Sequence, residues 1–252
     1  MAGKSTFLVT MTWDDAPHLS QAERDDLSMG IPEYMRDART KGIPQLGAGH
    51  IYPIPEQDIV VDRFDLPDYW PRGYGLDVGW NNTAAVWIAY DRTDGVRYLY
   101  SVYKRGQAEP VVHAAAIKQR GEWVPGKVDP AARASSQADG KKLLNLYRQE
   151  GLHLSTARSA VEAGILKVYN ALSTGQLKVF RHLTPWLEEF RMYRREMTSD
   201  GRSKIVKQHD HLLDATRYAI LAGIDWLETP PASSTTEDRR RGANTDTAWM
   251  GT

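Results

Sequence analysis

Between Tyr69 and Phe180 the apolar positions fall into short runs separated by turn residues, and the spacing of the runs changes midway. Three runs come first and close together, at 73–79, 84–91 and 96–103, with Trp80-Asn81-Asn82 and Asp94-Gly95 between them. Strand-length runs joined by such brief turns predict an antiparallel meander. The intervals then lengthen. A helix is predicted near 109–120, a strand at 123–129 ended by Pro130, and a helix over 137–150 with Leu143, Leu144 and Tyr147 on one face. A strand at 152–155, helices at 160–173 and 183–196 on either side of a strand at 177–180, and a last helix over 209–226 complete the series. That last helix is apolar at Leu212, Leu213, Ala215, Ala219, Ile220 and Ile224.

Three meander strands, a helix, a further strand and then alternating helices is the order of the ribonuclease H-like α/β fold, a mixed sheet in which an antiparallel meander is extended by parallel strands and flanked by helices. In that order the fourth strand runs parallel beside the first. The middle of strand one and the end of strand four are thereby expected side by side.

The flanks read differently. Residues 1–68 begin with a strand-like stretch at 6–12 and a short helix near 20–28, with Ser20 as N-cap and Glu23 three residues on. The run "GIPQLGAGHIYPIPEQDI" then has the look of an ordered connector with little core of its own. Residues 229–252 have the composition of a disordered tail. Three segments are therefore expected: an appendage over 1–68, a compact domain over 69–228 and the tail.

Composition narrows the chemistry. Lys plus Arg and Asp plus Glu balance at 32 each, so any surface for a polyanion must be local. The chain has no cysteine, which excludes disulfide frameworks and thiolate zinc sites and leaves carboxylate and imidazole as metal ligands. No stretch approaches the length of an apolar span, and the start lacks a signal-peptide pattern, so an intracellular protein away from membranes is expected. Lys4-Ser5-Thr6 ends like a phosphate-binding loop, but its upstream glycine and spacer are missing and a strand follows where a helix must open. No nucleotide site is expected.

Within "GYGLDVGWNNTAAVWIAY" (73–90), Asp77 interrupts an apolar strand. A buried, unpaired carboxylate costs several kcal/mol unless a partner or a cation compensates it. Asp129 ends strand four, and the last helix begins "QHDHLLDATRYAI", with Asp210 and Asp214 at i, i+4 and His211 and Asp214 at i, i+3. Three carboxylates, one each from strand one, strand four and the last helix, with help from one imidazole and no thiol, suit a hard divalent ion such as Mg²⁺ or Mn²⁺. Two such ions about 3.5–4 Å apart activate water and stabilise the leaving oxygen in phosphodiester cleavage. Taken singly, each residue has a plainer reading: Asp77 a hydrogen-bonded strand acid, Asp129 a turn residue before proline, Asp210 an N-cap, His211 a satisfied, partly buried histidine. Their order and spacing together favour the ion site.

The stretches "GLDVGWNNTAAVW", "VDPAARASSQADGKKLLNLY" and "HDHLLDATRYA" resemble the C-terminal nuclease domain of the large terminase subunit of tailed bacteriophages. The leading residues are similar to the junction where the ATPase domain of that family ends, so the resemblance covers about residues 6–226. It implies a motor protein that packages viral DNA and cuts the concatemer, here represented by its nuclease half, since the chain has no complete phosphate-binding loop and no room for the ATPase. The resemblance also implies a bridging role for Asp77 between two ions, one ion held by Asp129, and completion of the cluster by Asp214, with His211 and Asp210 as neighbours. It leaves open which of these two is a direct ligand. Asp139 is a weaker candidate at the rim. Expected products carry 5′-phosphate and 3′-hydroxyl ends, expected partners are double-stranded DNA, the portal protein and the small terminase subunit, and the expected place is the host cytoplasm, without retention in the mature virion.

Arg191, Arg194, Arg195, Arg202, Lys204 and Lys207 concentrate positive charge ahead of the last helix, and "REMTSDGRSKIVKQ" (195–208) reads as a hairpin with Asp200-Gly201 at its tip. This is either a guide for DNA phosphates or an ordinary solvated face. Arg133 and Lys141, near the second acid, are further phosphate candidates, whereas Trp87 and Trp186 read as core. Two rival functions remain: a resolvase- or integrase-type nuclease on the same fold, and a non-catalytic domain that docks or guides DNA in the motor. Loss of the acids would abolish a nuclease and leave a docking domain intact.

Overall fold

A computed structural model describes residues 13, 19–29, 49–128, 137–158, 160–198 and 203–231. The chain divides into two units, the smaller formed by 1–53 with 194–205 and the larger by 54–193 with 206–252.

In the smaller unit, helix α1 (Gln21–Met29) starts as its sequence predicts. The Glu23 carboxylate accepts from the Ser20 backbone N–H at 2.9 Å and from its hydroxyl at 2.8 Å, while the Glu23 N–H donates back to Ser20 Oγ at 3.4 Å. This reciprocal pairing satisfies helix-end donors that have no carbonyl partner of their own. The predicted strand at 6–12 lies outside the described residues.

The larger unit opens with a single-turn helix, α2 (Glu56–Ile59), and a two-residue strand, β1 (Val60–Val61). The meander follows as β2 (Arg72–Asp77), β3 (Thr83–Asp91) and β4 (Val96–Arg105), paired antiparallel throughout. Asp91 turns the chain into β4: its side chain accepts from the Thr93 N–H at 2.8 Å, and Gly95 takes the left-handed φ of 71° that the reversal requires. Helix α3 (Pro110–Lys118) leads to β5 (Gly126–Val128), which pairs parallel with β2 at Leu76↔Val128, as the ribonuclease H-like order demands. Helix α4 (Gln137–Gln149), strand β6 (Leu154–Thr156), helix α5 (Val161–Ser173), strand β7 (Leu177–Phe180) and helix α6 (Thr184–Met192) come next. The hairpin β8 (Arg195–Met197) and β9 (Ser203–Ile205) belongs to the smaller unit, and helix α7 (His211–Leu221) returns to the larger. Strand order in the seven-stranded sheet is β1-β7-β4-β3-β2-β5-β6.

Three boundaries differ from expectation for physical reasons. Helix α6 stops at Met192, because Arg195–Met197 are drawn into antiparallel pairing with β9. Helix α7 is confined to 211–221, preceded by His209 at φ 54° and followed by Gly223 at φ 88°, both incompatible with a continuing right-handed helix. Val60 and Val61, which the sequence places at the end of a connector, add an edge strand parallel to β7. The expected hairpin tip, Asp200-Gly201, lies outside the described residues.

Alternation along β2 gives the sheet two unlike faces. Tyr74 and Leu76 point to one side, where Ala85 and Trp87 of β3, Ala114 and Ile117 of α3, and Leu144 and Tyr147 of α4 form a buried cluster. Tyr74 stacks on Trp87 at 5.5 Å between ring centroids. Gly73, Gly75 and Asp77 point to the other side, against the C-terminal part of the chain. A Cβ built on Gly75 would lie 1.9 Å from the Ala215 carbonyl oxygen, so α7 seats directly on the β2 backbone, at a distance only glycine permits.

Candidate functional site

Close seating of α7 brings its first turn to the C-terminal end of β2. There the Asp77 carboxylate takes a hydrogen bond from His211, with Oδ2 2.9 Å from Nδ1. The hydrogen bond to Asp77 raises the imidazole above its ordinary value of 6.5, burial working against it. Asp77 is thus compensated by a group from the last helix, 134 residues away in sequence.

The start of α7 is fixed by groups that no local pattern announces. Asp210 occupies the N-cap position, but its side chain makes no capping bond. Glu189 from α6 does that work: its Oε2 accepts the Leu212 N–H at 2.7 Å, and its Oε1 pairs with the Lys104 ammonium from β4 at 2.7 Å. Glu189 is 2% exposed, so both interactions are needed to keep its charge in the interior. Trp186 Nε1 donates to Thr216 Oγ1 at 2.9 Å, and Thr216 donates to the Leu212 carbonyl at 2.7 Å, tying the two helices together again.

Asp214, one turn into α7, has its two oxygens divided between two cations. Oδ1 receives Arg217, at 3.2 Å from Nε and 3.1 Å from Nη2, while Oδ2 lies 3.1 Å from the Lys207 ammonium. The same ammonium is 3.1 Å from Asp210 Oδ2. Asp210 Oδ2 is buried and has no hydrogen-bond partner besides that ammonium. Burial opposes the charge of Lys207 and of Arg217, yet the carboxylates outweigh it and both bases are raised. The long stem of Arg217 lies over α5, where a Cβ on Gly164 would be 2.5 Å from Arg217 Cγ.

Of the sequence-derived candidates, Asp77, His211, Asp210 and Asp214 are gathered at the end of β2 and the first turn of α7. Asp129, Arg133 and Arg202 lie outside the described residues; β5 pairs with β2 up to Val128, one residue before Asp129. Lys141 and Asp139 belong to α4, but their side chains are outside the description. Arg194, Arg195 and Lys204 belong to the smaller unit with its hairpin. Lys207, read as a phosphate contact, is directed at the two helix acids. Glu189, Lys104 and Arg217 were not singled out by the sequence; only Arg217 carries a signal, its i, i+3 spacing from Asp214.

Among the described residues no group of three or more Asp, Glu or His side chains stands in ion-holding geometry. The donor set is nonetheless of the right kind. It consists of carboxylate oxygens and one imidazole, with an ammonium already drawn between two buried carboxylates. The loop after Asp77 is firmly held: Thr83 Oγ1 donates to the Gly79 carbonyl at 3.0 Å, and the Gln107 N–H to that of Trp80 at 2.8 Å. Among the described residues no helix is long and apolar enough to cross a membrane.

The Terminase RNaseH-like domain family model matches residues 74–222, the span from β2 to the end of α7. The large terminase subunits of Enterobacteria phage LP7 and Salmonella phage P22 are each 32% identical over 226 residues, 86% of this chain. The chain spans about half the length of these curated relatives, 47% of the first and 44% of the second. The solved structure of the P22 large terminase nuclease domain superposes with a TM-score of 0.65 at 30% identity, covering 72% of this chain and 95% of that one.

Proposed function

Since the chain belongs to the Terminase RNaseH-like domain family, we propose that it is the metal-dependent endonuclease part of a phage large terminase, cutting double-stranded DNA concatemers as genomes are packaged. One observation carries this reading: α7 is seated on Gly75 so that Asp77 at the end of β2 meets a helix start bearing Asp210, His211 and Asp214. A fold needs no such gathering of acids for stability, since each brings a desolvation cost.

Asp77, Asp129 and Asp214 are the proposed ligands of Mg²⁺ or Mn²⁺, with Asp210 and His211 as their neighbours. When bound, a pair of such ions supplies activation of water and neutralisation of the leaving oxygen. The chain's own groups prepare the place. His211 orients the Asp77 carboxylate through Nδ1, Arg217 holds Asp214 by Oδ1 while Lys207 takes Oδ2, and Glu189 fixes the helix start that carries them. Arg133, Lys141, Arg194, Arg195, Arg202 and Lys204 are the proposed phosphate contacts, which supply affinity without sequence preference. The domain itself is taken as residues 69–228. The partners proposed with it are double-stranded DNA, the portal protein and the small terminase subunit, in the host cytoplasm.

The test is cleavage of supercoiled plasmid by the purified chain with Mn²⁺, Mg²⁺ or EDTA, beside an Asp77→Ala variant whose fold is verified by circular dichroism. Cutting that needs the ion and disappears in the folded variant is the expected result. Intact plasmid with both ions and both proteins would turn the assignment toward a non-catalytic docking domain, and preference for branched over linear DNA toward a resolvase.

A further inference from the structure

Asp214 is served by two cations of opposite character. Arg217, on Oδ1, is 3% exposed and packed over α5, a permanent partner. Lys207, on Oδ2, has a side chain 58% exposed, while the Asp210 and Asp214 side chains it bridges are only 6% and 10% exposed. An ammonium in that position can leave and be hydrated, but the two carboxylates cannot follow it into water. Something must then replace it, since the buried Asp210 Oδ2 has no hydrogen-bond partner to fall back on besides this ammonium. Its three donors cannot all be directed at two acids approached from outside. Lys207 reaches back to the helix from a linker in which His209 holds a left-handed φ of 54°, a conformation uncommon for a residue other than glycine.

We propose that Lys207 is an exchangeable internal counter-ion, holding Asp210 and Asp214 together in the metal-free protein and giving way when a divalent ion enters. The inference rests on the metal-dependent reading of this site. It assigns Lys207 neither to the ligands nor to the catalytic groups. Its role is to set the affinity of the site, because an entering ion must displace it. Both ion pairs are partly exposed on the lysine side, so each is a modest interaction. Removing the lysine charge should therefore tighten ion binding about threefold to tenfold.

The test uses the full chain, stripped of metal, titrated with Mn²⁺ by calorimetry and melted in EDTA, for wild type, Lys207→Gln and Lys207→Arg. The expected result is tighter Mn²⁺ binding and a lower melting temperature in EDTA for Lys207→Gln, with Lys207→Arg close to wild type in both. Equal or weaker Mn²⁺ binding by Lys207→Gln, with wild type binding normally, overturns the counter-ion role and leaves the metal site standing. Absence of Mn²⁺ binding in all three proteins overturns the metal-dependent reading and this inference with it.

Discussion

On one face of β2, Tyr74 and Leu76 are met by rings and aliphatic side chains from β3, α3 and α4; on the other, Gly73 and Gly75 offer no side chain at all, and the next residue in that row is Asp77. The first face is held by volume, through dispersion and the release of water from large side chains. The second is held by proximity: with no Cβ at Gly75, α7 lies against the strand backbone and carries its acids to the one polar side chain of that row, while Gly73 leaves room for Trp226 and Leu227. One six-residue strand thus separates the work of keeping the domain folded from the work of assembling a site.

If that division is right, Asp77→Asn and Leu76→Ala should behave as opposites. The amide keeps the shape of the side chain but loses the charge an ion needs, so cleavage should fall on the order of a thousandfold at nearly unchanged melting temperature. Truncation of Leu76, fully buried, should cost about 2–5 kcal/mol in denaturant unfolding while the folded fraction continues to cut. Gly75→Ala should blur the distinction. A methyl group 1.9 Å from the Ala215 carbonyl oxygen forces α7 outward, costing about 1–3 kcal/mol and lowering cleavage as well, measurable by the same two assays.

Smaller effects should follow at the helix start. Glu189→Gln leaves one of its two facing donors, the Leu212 N–H or the Lys104 ammonium, without an acceptor, at a cost of about 1–3 kcal/mol. The smallest concerns His211. Its value is raised in the folded state, so the stability it contributes is present in full below the ordinary 6.5 and is lost as pH rises through the raised value. In EDTA the melting temperature should therefore decline above pH 6.5, and Asp77→Asn should flatten that decline and return the imidazole toward 6.5 in an NMR titration.

The sequence carried the sheet further than the site. Asp94-Gly95 and the close spacing of three apolar runs specify the meander, because hairpin turns and alternation are local properties. Asp77, Asp210, His211 and Asp214 were visible as polar residues where an apolar pattern or a helix face made them anomalous. Glu189 was not, since an acid in an amphipathic helix looks solvated until tertiary packing buries it against another helix's first turn. Lys207 shows the converse limit. A lysine in a basic run reads as a surface charge, and only the fold, by setting it beside two buried carboxylates, gives it another place. Val60 and Val61 were likewise too short a run to declare a strand before β7 was there to pair with them.

The measurement that bears most directly on the site is anomalous diffraction at the manganese edge from crystals of the chain grown with Mn²⁺ at a concentration that supports plasmid cutting. A peak is expected at the end of β2, in contact with the Asp77 carboxylate and facing Asp214 of α7. A map without a peak there, with Asp77 still bonded to His211 under those conditions, would contradict it.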